Sequence, residues 1–354
     1  MKEFSHFLSR NKIYILMLAF ILLFNVADFL LPAIREYNQQ KEEMLKIQQD
    51  KIKEEVKVRE DAIIKNINEN QQLQRLAGIL SFFFAFMLLA GLGLLITFIR
   101  LKFRHREPLL RISSLPPPKW GILDAVRIAI VFVFFNYMLF LVIATMEKIF
   151  GVSIKNPSNK AVFNTFIMDF LALGFIFYFL FIKFGQHLNA VGLRIKDFLQ
   201  NAFLGLLGYM AFLPVLVAVV FISYYMGNYF NIEPQSQPLF DLFMEEQRVF
   251  VLIILTLFVV AIGPIIEEIF FRGFLYSAFK KRFSAFSGML LTSLIFAGLH
   301  MNALGFLPIL ALAFVLVYMF EKTGSLVPSI IIHCAHNGMI VILLFLARFF
   351  SGNF

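Results

Sequence analysis

The chain has one cysteine, Cys334, among 354 residues. No intrachain disulfide can form, and a cysteine-based zinc site would lack its sulfur ligands. Charge is scarce as well. Asp, Glu, Lys and Arg make up 16% of the chain, against about 25% in soluble domains, so a soluble globular reading is poor. Glycine (19) and proline (12) are too few for a collagen-like or low-complexity chain. There is no HExxH helix and no GxSxG turn. The compact zinc-protease motif and the serine-hydrolase elbow are therefore both missing. What fills the chain is apolar. Hydrophobic residues reach 60%, phenylalanine alone occurs 47 times, and the mean hydropathy is +0.79. Disorder is excluded for the chain as a whole.

A bilayer core about 30 Å thick takes about 20 apolar residues as helix. Nine candidate spans lie near 13–32, 77–99, 123–146, 163–183, 200–226, 249–274, 285–300, 304–320 and 326–349. The expected fold is all-α: a polytopic membrane protein with eight to nine transmembrane helices around an intramembrane cavity. The first apolar run exceeds a signal-peptide core and lacks a clean small-x-small site, so it reads as a retained helix. Spans seven and eight are short and are interrupted by Gly305 and Pro308, which fits tilted, broken or re-entrant helices. Lys and Arg crowd residues 1–12, 100–119, 183–196 and 280–282. The positive-inside rule then sets the N-terminus in the cytoplasm, in a multi-pass cell-membrane protein. With this distribution the net charge of +9 is no nucleic-acid signature.

Residues 35–75 differ in kind. They hold nine basic and nine acidic residues and no glycine or proline. Met44, Leu45, Ile52, Val56, Ile63 and Ile67 recur at helical spacing. A charged extracytoplasmic helical segment is expected, folding back near Asn66–Gln72. It reads either as a solvated spacer or as an element for a protein partner or self-association. The domain reading is 1–34 for the N-terminal helix, 35–76 for the charged segment, 77–119 for the second span with its basic loop, and 120–354 for the core.

Ionisable groups in lipid are costly and mark function by default. Asp28, Asp124 and Asp169 fit structural roles, and Arg127 can snorkel. The sixth span stands out, with Glu267, Glu268 and Arg272 together in an apolar stretch. Glu268 and Arg272 are i,i+4 and can pair. Glu267 is rotated about 100° away and is left for chemistry. His300 ends span seven. Span nine carries His333, Cys334, His336 and Asn337, with His333 and Asn337 on one face. Counted from the inner ends at 1.5 Å per residue, Glu267 lies about 20 Å deep, His300 about 27 Å, His333 about 16 Å and Asn337 about 22 Å. Three helices therefore bring polar groups to one depth. His336 falls at the edge of that cavity.

That set suits peptide hydrolysis. Glu267 with a histidine activates water, and His333 with the Asn337 amide supplies oxyanion donors. No cofactor is favoured, although Glu267, His300 and His333 are candidate ligands for a divalent metal such as zinc. Cys334 points about 100° from His333, a poor thiol pairing. A non-catalytic peptide-binding immunity or scaffold protein and an ion-coupled transporter are the competing classes. The chain shows no clear inverted repeat of the kind many transporters have.

Three motifs stand in order within 71 residues: Glu267-Glu268-xxx-Arg272, Phe296-xxx-His300 and His333-xxx-Asn337. In these the chain resembles the CPBP family of intramembrane proteases, which includes the type II CAAX prenyl endopeptidases and bacteriocin-processing Abi-type proteins. The resemblance covers residues 120–349. It implies an all-α membrane fold with a conical cavity. It implies Glu267, helped by His300, as activator of water, His333 and Asn337 as oxyanion donors, and Glu268 and Arg272 as residues shaping the site. It implies a membrane-anchored or membrane-delivered peptide substrate, and it does not imply that the substrate is prenylated.

Overall fold

The computed structural model describes residues 2–30, 54, 57–104, 117–151, 157–194, 197–232 and 238–352. All regular structure among them is helical. In chain order the helices are α1 Lys2–Leu30, α2 (57–69), α3 Gln71–Arg104, α4 Ile122–Phe150 and α5 Pro157–Phe177, which runs on as a π-helical turn Tyr178–Lys183. Then follow α6 Phe198–Tyr229, α7 Pro238–Glu245, α8 Val249–Lys280, α9 Ala285–Leu299, α10 Phe306–Thr323 and α11 Leu326–Phe350. The protein is an all-α polytopic membrane protein. Among the described residues seven helices are long and apolar enough to cross a bilayer: α3, α4, Val162–Lys183, α6, α8, α10 and α11. The apolar part of α1 (Asn11–Asn25) and α9 are shorter. At about 1.5 Å per residue, the 15 residues of α9 fall short of the bilayer core.

The chain divides into two compact units, one of residues 1–58, 123–176 and 236–242, the other of residues 59–122, 177–235 and 243–354. Residues 123–176 belong to the first of these units. Within that first unit α1 runs beside α4. Phe20 meets Phe134 edge-on at 5.3 Å and Tyr137 donates to Asn25 at 3.1 Å. Arg127 bonds Asp124 at 2.7 Å and Asn11 at 2.8 and 3.0 Å, so its charge is paired within the two helices. Asp169 is half-buried in α5. At Asp28 the structure describes backbone only.

In the second unit the loops gather at two ends. At one end Asn66 of α2 donates to the Phe350 carbonyl at 3.1 Å. There too Arg348 of α11 bonds the carbonyls of Phe243 and Glu246 and the Gln247 side chain. At the opposite end Lys119 reaches the Phe184 carbonyl, Lys281 the Pro118 carbonyl, and Leu326 N–H the Gly192 carbonyl. Trp120, fully buried, stacks on Phe274 at 4.9 Å and donates to its carbonyl. The 35–76 segment is described only at 54 and from 57 onward. Where the fold-back was expected, α2 and α3 are separated by a single non-helical residue, Asn70, through which i,i+4 backbone bonds continue (Asn70 N–H to the Asn66 carbonyl, Gln74 N–H to the Asn70 carbonyl) and whose side chain caps α3 by accepting from the Gln72 and Leu73 amides.

Lipid offers no hydrophobic drive for helix association, so close packing and hydrogen bonds must hold the bundle. Gly205 lets α6 approach α11, since a Cβ there would sit 2.8 Å from the Pro328 carbonyl oxygen and 3.0 Å from Ile331. Around this contact Tyr209, Phe212, Leu213 and Leu216 pack with Leu312, Leu316, Met319 and Ile332. This cluster of α6, α10 and α11 fixes the helix that carries His333.

Candidate active site

The helix α8 is not uniform. It is α-helical over Val249–Leu257, π-helical over Phe258–Ile262, α-helical over Gly263–Glu268 and π-helical again over Ile269–Tyr276. The two widened stretches bracket the glutamate pair, and π-bulges recur at functional sites. Pro264 sits just after the first of them.

Glu268 and Arg272 have no solvent exposure and pair at 2.8 Å, as their i,i+4 spacing allows. The same carboxylate oxygen receives His333 Nδ1 at 2.9 Å. Arg272 also donates to the Ala313 carbonyl at 3.3 Å, and its guanidinium lies over the Phe296 ring at 4.5 Å. Four helices thus meet at one buried ion pair: α8, α9, α10 and α11. Removing either partner leaves an uncompensated buried charge.

Glu267 is the accessible member of the pair, with 31% of its side chain exposed against 0% for Glu268. Its Oε2 lies 3.7 Å from His333 Nε2, too far for a hydrogen bond. That oxygen is itself buried and has no hydrogen-bond partner among the described residues. His333 therefore stands between the two carboxylates, bonded to one and facing the other. Glu268 accepts from Arg272, so Nδ1 of His333 carries the proton in their bond and Nε2 faces Glu267.

His300 is linked to this group through Phe296. Its Nδ1 bonds the Phe296 carbonyl at 2.8 Å, and a carbonyl only accepts, so Nδ1 is the protonated nitrogen. Nε2 of the neutral ring keeps its lone pair. The Phe296 ring lies 4.7 Å from His300 and 5.9 Å from His333. Asn337 donates from Nδ2 to the Val259 carbonyl at 2.8 Å. Its amide has a second N–H.

The structure therefore joins Glu267, Glu268, Arg272 and His333 directly, and links His300 and Asn337 to them through Phe296 and α8. Cys334 is a half-buried free thiol. His336 turns to the Tyr209 ring of α6, 6.2 Å away, rather than to Glu267. Among the described residues no group of three or more His, Cys, Asp or Glu is set to hold a metal ion. Of the three candidate ligands, Glu267 and His333 face each other at 3.7 Å and His300 is linked to His333 through the Phe296 ring, so no step is derived through a metal.

Sequence reasoning missed Phe296 as more than a motif letter, and missed the carbonyls of Ala313 and Val259 altogether. The aromatic residue four before His300 was the available signal for Phe296. Nothing in the sequence marks which backbone oxygens are left to side chains.

The protein is thus a polytopic helical membrane protein with a buried Glu–Arg–His cluster. Residues 249–339 match the family model for type II CAAX prenyl endopeptidase, Rce1-like. This stretch carries an Rce1-like domain, consistent with an intramembrane protease of the CPBP family. It spans α8 to the middle of α11 and includes every site residue named above. No curated protein and no solved structure matches the chain. The domain and the apolar helices support a membrane-located, CAAX-type protease in general.

Proposed function

We propose that the protein is an intramembrane endopeptidase that hydrolyses peptide bonds of membrane-anchored or membrane-delivered substrates. The observation that carries this reading is the division of labour between adjacent glutamates. Glu268 is fully buried with its Oε1 locked to Arg272 and His333, while the Glu267 side chain is 31% exposed and its Oε2 faces His333 Nε2.

In this reading Glu267 takes a proton from water as its oxygen attacks the scissile carbonyl carbon. Negative charge moves to the carbonyl oxygen, which accepts from His333 Nε2–H and from the second Asn337 amide hydrogen. The carbon–nitrogen bond then breaks, and the departing amine nitrogen takes the proton from Glu267. Donation from His333 Nε2 requires an imidazolium, since Nδ1 is committed to Glu268. With His333 so charged, Glu267, Glu268, Arg272 and His333 sum to zero, which lowers the cost of ionised groups in lipid. The Nε2 lone pair of His300 is the second acceptor available to water.

The end bearing Lys119, Lys183, Lys280, Lys281, Arg282 and Lys322 is the cytoplasmic one in this reading, by the positive-inside rule. The end bearing α2 and the close of α11 then lies outside. Because Asn66 ties α2 to α11, this part of the charged segment serves the protease core itself. The 35–76 segment as a whole remains the stretch for a protein partner or self-association.

Quantitative membrane proteomics of cells with the wild-type chain or Glu267→Ala tests the proposal. Full-length substrates accumulate in the variant if the reading holds. Identical proteomes with equal protein levels count against it. A peptide-binding scaffold keeps its cellular phenotype in Glu267→Gln.

A further inference from the structure

The Val259 carbonyl has lost both donors a helix would give it. At α-helical spacing its donor is Gly263 N–H, which goes instead to the Phe258 carbonyl, five residues back. At π-helical spacing its donor is residue 264, a proline, which has no N–H. A backbone carbonyl at membrane depth must find a partner from outside its own helix. It finds Asn337 Nδ2 at 2.8 Å, from a residue 78 positions away. The amide plane of Asn337 is thereby set by the backbone of α8, the same helix that holds Glu267 two turns' reach from Val259.

We propose that Pro264 is a positioning residue for Asn337: it leaves the Val259 carbonyl without an intrahelical donor, and this carbonyl anchors the Asn337 amide in register with Glu267. One amide hydrogen goes to the anchor, and the second is held in a fixed direction. The assignment of that second hydrogen to an oxyanion rests on the endopeptidase reading; the anchor itself does not. Placing proline three residues before Glu267 then couples the base and the oxyanion donor through one helix.

The test uses the full chain in lipid nanodiscs with ¹⁵N-labelled asparagine side-chain amides. The Asn337 signal is identified by its loss in Asn337→Asp. Pro264→Ala restores an N–H at 264, and alanine is the strongest helix former, so the variant folds. Its α8 can satisfy Val259 internally, and Asn337 is released. The Asn337 amide then exchanges with solvent about 2- to 10-fold faster, the equilibrium worth of one net hydrogen bond, and its chemical shift moves. The other asparagine signals stay in place, as they do in a Pro214→Ala control. An unmoved Asn337 signal in Pro264→Ala overturns the inference, whatever the peptidase result. In cleavage assays Pro264→Ala adds no further loss to Asn337→Ala; multiplying losses overturn the positioning role. Failure of the endopeptidase reading shows separately, as activity that survives Glu267→Ala while the Asn337 signal behaves as expected.

Discussion

Arg272 and Glu268 form an ion pair at 2.8 Å with no exposure of either side chain, and His333 shares the same carboxylate oxygen. Breaking a buried pair by removing one partner costs about 3–5 kcal/mol. Arg272→Met is expected to destabilise by that amount, read as a lower thermal midpoint in detergent. Arg272→Lys restores the charge but not the fork that reaches both Glu268 and the Ala313 carbonyl, so it recovers only part of the loss. The double variant Glu268→Gln, Arg272→Met is expected to be more stable than Arg272→Met alone.

Gly205 sets how closely α6 meets α11. Gly205→Val forces its new atoms against the Pro328 carbonyl and Ile331, and overpacking of this kind costs about 1–3 kcal/mol. The thermal midpoint should fall, and hydrogen exchange should speed up in α11 around Ile332.

Asn70 caps α3 through its side-chain oxygen. Asn70→Ala is expected to cost about 1 kcal/mol. Asn70→Asp retains the acceptor and is expected to be nearly neutral, as measured by the same melting experiment.

Glu246 lies outside the membrane-spanning segments and bonds Arg248 at 2.7 Å. The Arg248 hydrogen bond holds its carboxyl below the ordinary carboxylate range, lowered from 4.5 to about 2. A depressed folded-state value means that the pair stabilises fully above the unfolded value. The contribution then declines as pH falls from about 4.5 toward about 2. Arg248 is largely exposed, so solvent screening keeps the effect small. The stability gap between wild type and Glu246→Gln should be constant above pH 5 and shrink below it. A gap that grows on acidification contradicts the pairing.

Much of this was visible in the residues themselves, for physical reasons that can be named. The Glu268–Arg272 pair follows from i,i+4 geometry on any helix, and the apolar blocks follow from the demands of lipid. The span near 285–300 shows where such counting stops. It is a 15-residue helix, ended by the bond of the His300 amide to the Ala297 carbonyl. The contact of His333 with Glu268 crosses 65 positions and depends on how α8 and α11 pack, which no local pattern encodes. Asn337 could be placed on the face of His333, but its bond to Val259 depends on a shift of hydrogen-bond register inside α8. Pro264 was the local sign of that shift.

The central claim is that Glu267 is the base of a peptidase site, and purified protein tests it most directly. Wild type, Glu267→Ala and Glu267→Gln are assayed in nanodiscs on a panel of membrane-inserted peptides, with cleavage read by mass spectrometry. The account predicts cleavage by wild type and a loss of about 10²–10⁴-fold in both variants, the range for removal of a general base. Equal cleavage by wild type and Glu267→Ala, with both proteins folded, would contradict it.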